Sequence, residues 1–262
     1  MAFSPNGEQW YLVNATPDVT TQLAAWPEFH PHRGIRNTPI RGVLLTDAEL
    51  DHTLGLLHLR EGSGWSLHAT DGVLACLRAG FDVLPTLGRY TEIDMSSVPL
   101  GQPLTLGAGR DRVEVRWLET GRETPLHTGS EEDVAGAVSA LVLEVVESGR
   151  SVVYAPGVPG PSEALDAACR KADAIYFDGT FWTGDELLPV SGKRRDAFDM
   201  GHWPISGAQG SATYLAELPA GHIRYLHVNN TNPVLDPTSG QRAALRALGL
   251  DVAEDGEELD LA

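Results

Sequence analysis

Short apolar runs bounded by Gly, Pro, Asn and Asp alternate along this chain with stretches of helical periodicity. WYLV, from Trp10, follows the turn-like SPNGE and reads as a strand arriving from a hairpin. A helix is predicted from about Pro17, with Asp18 in its first turn, and PEFHPHRGIRNTP reads as an irregular loop. Residues 40–45 form an apolar run of the kind found in buried strands; it leads into an acidic loop and a helix ending at Gly62. SLHAT (strand) and DGVLACLRAG (helix with a Gly stop) precede a Pro/Gly-rich region reaching about Thr105. VEVRWL alternates as a half-buried strand should, and SALVLEVVE and SVVYAP flank an SGR turn as a hairpin. The last third alternates PSEALDAACRKA, AIYFDG, a long loop, SATYLAEL, HIRYLHVNN, SGQRAALRALGL and a closing strand. Hairpins followed by interleaved helices and strands predict an α/β fold, a β-sandwich with helices on its outer faces and loop-borne side chains at one edge. A single domain over 1–262 is expected.

Composition narrows the function classes. The apolar share of 42% is ample for a core, and no apolar run approaches the ~18 residues of a membrane span. A net charge of −17, from 19 Lys+Arg against 36 Asp+Glu, repels nucleic-acid phosphates, so no nucleic-acid partner is expected. Cys76 and Cys169 form no C-x-x-C pair, which excludes a cysteine zinc knuckle. The start, MAFSPNGEQW, lacks a basic-plus-apolar leader pattern, so a cytoplasmic location without membrane attachment is expected.

Candidate chemistry concentrates at strand ends. Asp47, Glu49, Asp51 and His52 lie within six residues directly after a predicted buried strand. Taken singly, Asp51 reads as a helix N-cap, Asp47 as an Asx-turn residue and Glu49 as a solvated carboxylate. Together, next to a buried strand where unpaired charge is costly, they point to a shared metal site. Three further strand-end loops repeat the theme with Asp178 in FDGTFW, His202 in MGHWP, and His227, Asn229 and Asn230 in HVNNTNP. Arg33 and Arg36, with His30 and His32, either hold a substrate carboxylate or form a solvated loop. His127 sits in a Thr/Gly/Glu loop with no supporting motif and is expected to be structural or solvated; His58, six residues after His52, points away from the first helical turn.

The motifs LTDAELDHTLGLLHLRE, FDGTFWT, MGHWPISG and HVNNTNP resemble the metallo-β-lactamase superfamily, and within it the pyrroloquinoline quinone biosynthesis protein B branch. The resemblance runs from about Trp10 to the C-terminus and implies an αββα sandwich. Against the superfamily loop H-x-H-x-D-H, Asp47 and Glu49 replace the two histidines while Asp51 and His52 survive, and Gly157 stands where hydrolases carry a metal-bridging aspartate. These losses argue against a dinuclear zinc hydrolase. The resemblance leaves Asp51, His52 and His227 as metal ligands, a set that suits iron(II), with zinc also fitting, and that leaves about three octahedral positions open. It implies an iron-dependent hydroxylase that uses molecular oxygen on a tyrosine-like aromatic, amino-acid or short-peptide substrate in cofactor or natural-product biosynthesis. Glu49, Asp178, His202 and Asn229 are then acid–base or positioning groups, and Arg33, Arg36 and Trp182 line the substrate. Two other readings stand beside it: a zinc hydrolase of the β-lactamase type, and a non-catalytic relative that binds a metabolite or carrier. Members of the branch open with a glycine-rich strand and a zinc-binding cysteine cluster. MAFSPNGEQW carries neither, and the expected consequence is an exposed sheet edge that a homodimer would cover.

Overall fold

The structure, a computed structural model, describes residues 1–31, 37–62, 64–130, 132–191 and 196–261. Arg33 and Arg36, with His32, lie outside these residues. Two compact units divide the chain, Met1–Val138 and Ser139–Ala262.

The first unit is built on strands β1 (Ala2–Phe3), β2 (Trp10–Val13), β3 (Ile40–Leu44), β4 (Trp65–Ala69) and β5 (Ile93–Ser97), paired in that order. The β1–β2 pair is antiparallel, as the SPNGE turn predicts, and the remaining pairs are parallel. β3 is buried along most of its length, and apart from the partly exposed Arg41 its sequence is apolar rather than alternating, as in a strand covered on both faces. Val43, Leu45, Leu67 and Ala69 pack with Val73, Leu74 and Leu77 of helix α3 (Asp71–Ala79). Thr70 caps α3 by accepting the Val73 N–H, and Leu84 and Leu87 of α4 (Leu84–Leu87) complete this core. Helix α1 spans Val19–Ala25, so Asp18 precedes it as the N-cap residue instead of lying inside its first turn. A hairpin of β6 (Leu104–Ala108) and β7 (Asp111–Gly121) follows β5. β5 lies within the region read from sequence as Pro/Gly-rich, and β6 begins at its end.

The helix expected to run to Gly62 is interrupted. A single α-turn, α2 (Leu50–Thr53), gives way to a 3₁₀ segment, Leu54–His58. The cause is a pair of hydrogen bonds to the chain leaving β2. Ala15 N–H donates to the His52 carbonyl at 2.7 Å, and Gly55 N–H donates to the Ala15 carbonyl at 2.9 Å. The His52 carbonyl and the Gly55 amide are thereby removed from the i→i−4 ladder. A Cβ at Gly55 would lie 2.1 Å from the Thr16 carbonyl oxygen, so only glycine allows this approach.

The second unit carries β8 (Val138–Val145), whose pairing residues 141–144 run antiparallel to β9 (Ser151–Ala155), as the SGR turn predicts. Parallel strands β10 (Ala174–Asp178), β11 (His222–Leu226) and β12 (Asp251–Val252) extend the sheet from β9. Helices α5 (Glu163–Cys169), α6 (Leu188–Ser191), α7 (Ser211–Ala216) and α8 (Gly240–Ala247) join and follow these strands. Val153, Ile175, Phe177, Ile223 and Tyr225 pack against Leu165, Leu215 and Leu245. Ser162 and Ser239 cap α5 and α8. Among the described residues no helix is long and apolar enough to cross a membrane.

Candidate metal centre

In each unit the polar cluster sits at the carboxyl ends of parallel strands, where side chains leave the sheet and backbone groups are still held by it. At the ends of β2 and β3, Asn14 and Thr46 exchange two hydrogen bonds. The Asn14 amide donates to Thr46 Oγ at 2.8 Å, and Thr46 N–H donates to Asn14 Oδ1 at 3.0 Å. Asn14 adopts a left-handed backbone, φ 59°, to make this contact. The Thr46 hydroxyl then donates to Asp47 Oδ2 at 2.7 Å, and Glu49 N–H donates to Asp47 Oδ1 at 3.0 Å. Both Asp47 oxygens lie 2.8 Å from His52 Nδ1. A carboxylate only accepts, so the His52 Nδ1–H donates and the ring's remaining nitrogen, Nε2, is the one suited to a metal.

Burial raises the Asp47 carboxyl, but the charge of His52 and hydrogen bonds from His52, Thr46 and the Glu49 backbone outweigh it and hold it below the usual carboxylate range. Burial draws His52 down, and the neighbouring Asp47 anion, with Asp51 and Glu49, more than reverses this. Glu49 and Asp51 reach solvent, whereas Asp47 and His52 are buried. Desolvation, then the Asp47 and Asp51 charges, push the Glu49 carboxyl up. His127 belongs to the packing of this unit: its Nε2–H donates to the Ala48 carbonyl at 2.8 Å, and Gly80 leaves room for its ring. His58 is exposed in the 3₁₀ segment.

The second cluster grows from the ends of β10 and β11. Asp178, with no exposed surface, accepts four hydrogen bonds: Val158 N–H (2.9 Å) and His202 Nδ1–H (2.8 Å) on Oδ2, and the Thr180 amide (3.0 Å) and hydroxyl (2.7 Å) on Oδ1. Four donors saturate a carboxylate, so Asp178 acts here as an orienting acceptor. His227 Nδ1 lies 2.7 Å from Thr180 Oγ, and the His202 and His227 rings stack with centroids 5.4 Å apart. One ligand atom from each of Asp178, His202 and His227 falls within a 4.8 Å cluster. His227 has φ 56°, a left-handed conformation that a non-glycine residue holds only where its surroundings impose it.

Asn229 and Trp182 are tied together through Glu186. Glu186 accepts the Trp182 amide at 2.6 Å and the Thr231 hydroxyl at 2.5 Å, and Thr231 Oγ in turn accepts from the Asn229 side-chain amide at 2.9 Å. Asn232, buried, donates to the Gly179 carbonyl at 2.9 Å and fixes the loop after β11 against the one after β10. Sequence reasoning missed Asn14, Thr46, Thr180, Glu186 and Asn232. The available signal was a hydroxyl one or two residues from each strand-end aspartate. Asp47, read as an Asx-turn residue and as a substituted histidine, accepts the Glu49 amide as such a turn does and is also the residue that orients His52.

The donor chemistry of the two clusters fits a divalent metal. Each holds an imidazole whose Nδ1–H is committed to a buried oxygen acceptor, as in metal-ligating histidines generally. Comparison with known proteins agrees. A β-lactamase superfamily domain model matches residues 9–228. Coenzyme PQQ synthesis protein B of Methylobacterium nodulans is 40% identical over 267 aligned positions, covering 100% of this chain and 86% of that protein. The Klebsiella pneumoniae protein of the same name is 37% identical, with 98% and 84% covered. The crystal structure of Zn²⁺-bound PqqB from Methylobacterium extorquens matches with a TM-score of 0.86 and 35% identity over 99% of this chain and 86% of that one. A diphosphatase of the PhnP family, 16% identical with a TM-score of 0.62 over 96% of this chain and 79% of that one, shares the fold.

Proposed function

Because the chain belongs to the coenzyme PQQ synthesis protein B branch of the β-lactamase superfamily, with its metallo-β-lactamase fold, we propose that it acts in coenzyme PQQ synthesis as an iron-dependent, oxygen-using hydroxylase. Its substrate in this reading is a tyrosine-like aromatic, as an amino acid or within a short peptide. The observation that carries the proposal is the fixed orientation of two strand-end imidazoles, His52 on Asp47 and His227 on Thr180. Asp51, His52 and His227 would hold the metal. Iron(II) on such a set supplies redox chemistry and open coordination positions, and zinc on the same set would supply Lewis acidity instead.

The chain's own groups have separable tasks. His202, its Nδ1–H held by Asp178, exchanges a proton at Nε2. Glu49, pushed up into a more basic range, is a second proton acceptor. Asn229 and Trp182, latched through Glu186 and Thr231, present an amide and an indole to the substrate, and Arg33 and Arg36 pair with its carboxylate. Overall, an aromatic C–H becomes C–OH. One oxygen atom enters the ring and the other leaves as water, with two electrons and two protons from an external small-molecule reductant.

Metal analysis of protein purified without added metal, then anaerobic iron(II) reconstitution and oxygen uptake with a tyrosine-containing dipeptide and ascorbate as the external two-electron reductant, tests the reading. Stoichiometric oxygen consumption with a hydroxylated product is expected, and Asp51→Ala or His227→Ala should lose metal. Undiminished metal content in both variants sinks the ligand set. Two tightly held zinc ions per chain with esterase or phosphodiesterase turnover would favour the hydrolase reading, for which the Zn²⁺-bound relative is the motivating observation.

A further inference from the structure

We infer that Thr180 is a positioning residue that selects the Nδ1–H tautomer of His227 and so presents Nε2 for metal binding. This rests on the proposal that His227 is a ligand, and it identifies a group on which that role depends. The argument is one of hydrogen count. Asp178 is an acceptor, so the single hydroxyl hydrogen of Thr180 is committed to Asp178 Oδ1 at 2.7 Å. Only lone pairs remain on Thr180 Oγ. His227 Nδ1, 2.7 Å away, therefore meets an acceptor and must carry the hydrogen. His202 Nδ1 lies 3.1 Å from the same oxygen and 2.8 Å from Asp178 Oδ2, so it too is protonated at Nδ1. One threonine thus sets the polarity of a pair of stacked imidazoles.

Thr180 is itself fixed. Its amide donates to Asp178 Oδ1 at 3.0 Å, its carbonyl accepts the Asn229 amide at 3.1 Å, and its side chain is buried. The loop leaving β11 is therefore registered on the same residue whose hydroxyl orients the ring, which accounts for the left-handed backbone at His227 being tolerated. A hydroxyl relay from a buried carboxylate takes the place of the direct carboxylate–histidine contact that Asp47 makes with His52.

The test uses the full chain, ¹⁵N-labelled and metal-free, in four forms: wild type, Thr180→Val, Thr180→Ser and His227→Ala. Long-range ¹H–¹⁵N correlation spectra report which ring nitrogen of His227 carries the hydrogen, and competition with a chromogenic chelator reports the affinity for zinc alone. Wild type and Thr180→Ser are expected to hold His227 as the Nδ1–H tautomer and to bind zinc within about threefold of each other. Thr180→Val should lose the tautomer preference and bind zinc about 10- to 100-fold more weakly. A wild-type tautomer and affinity in Thr180→Val, or a Thr180→Ser protein as impaired as the valine variant, overturns the role of Thr180. Undiminished zinc affinity in His227→Ala instead overturns the ligand assignment, whatever the tautomer spectra give. Should the valine protein not fold, Thr180→Ala, read by the same two measurements, takes its place.

Discussion

At the scale of single residues, the site is governed by what holds each imidazole. Asp47 receives hydrogen bonds from Thr46 Oγ, the Glu49 amide and His52 Nδ1. Asp47→Asn leaves one carbonyl oxygen for three donors and turns an NH₂ group toward one of them. A buried donor without an acceptor costs about 1–3 kcal/mol, and the loss of an orienting carboxylate typically weakens metal binding about 10- to 100-fold. Asp47→Asn is therefore expected to lower both the melting temperature of the metal-free protein and its zinc affinity; a variant with wild-type zinc affinity would mean that Asp47 does not orient a ligand. The Asp–His pair and the histidine of HVNNTNP are legible in the sequence because strand-end polar clusters stand out against apolar runs. The orienting groups are not. Whether Thr46, Thr180 or Asn14 faces a histidine depends on backbone conformations, such as φ 59° at Asn14, that neither composition nor periodicity encodes.

Elements were readable where burial is near complete or alternates regularly, as along β7, and unreadable where it is irregular. β3 and β9 announce themselves as apolar runs, while β5 and β6, with sequences IDMSS and LTLGA and half-exposed patterns, do not. The break after α2 is likewise hidden, since its cause lies in the carbonyls of Ala15 and Thr16. Gly55→Ala should cost about 1–3 kcal/mol through overpacking against those carbonyls and should shift His52, read as a lower melting temperature together with weaker zinc binding. Urea denaturation at the same zinc-free conditions separates the two effects. The junction of α8 and β12 offers a pH-dependent test. Buried Arg242 donates to Asp251 Oδ1 and to the Val234 carbonyl at 3.1 Å, and Arg246 donates to Asp251 Oδ2 at 3.0 Å. Partial burial raises the Asp251 carboxyl, but bonds from Arg242, the Val252 backbone and Arg246 outweigh it and hold the group below its usual range. A depressed folded-state pKa contributes stability that is present above the unfolded value, about 3.9, and is lost as pH falls through the folded value. Asp251→Asn is thus expected to be less stable than wild type by about 1–2 kcal/mol at pH 7, with the gap narrowing below about pH 4. A gap that stays constant down to pH 2 would remove the ion pair from the account.

For the molecule as a whole, the proposed ligands come from chain segments far apart in sequence, Asp51 and His52 after β3 and His227 after β11. A metal bound by both segments binds the folded chain and not the unfolded one, so its binding free energy adds to folding stability. At a free metal concentration about 100-fold above Kd the gain is about 2.7 kcal/mol, which for a chain of this length corresponds to a rise in melting temperature on the order of 5–10 °C. Scanning calorimetry of the metal-free protein with increasing zinc should show that rise, and it should disappear in both Asp51→Ala and His227→Ala. A rise that survives in His227→Ala but not in Asp51→Ala would confine the metal to the Asp51–His52 segment and separate the two clusters functionally. A rise lost in both is the outcome expected of the proposed ligand set, Asp51, His52 and His227, which the resemblance to the H-x-H-x-D-H loop implies.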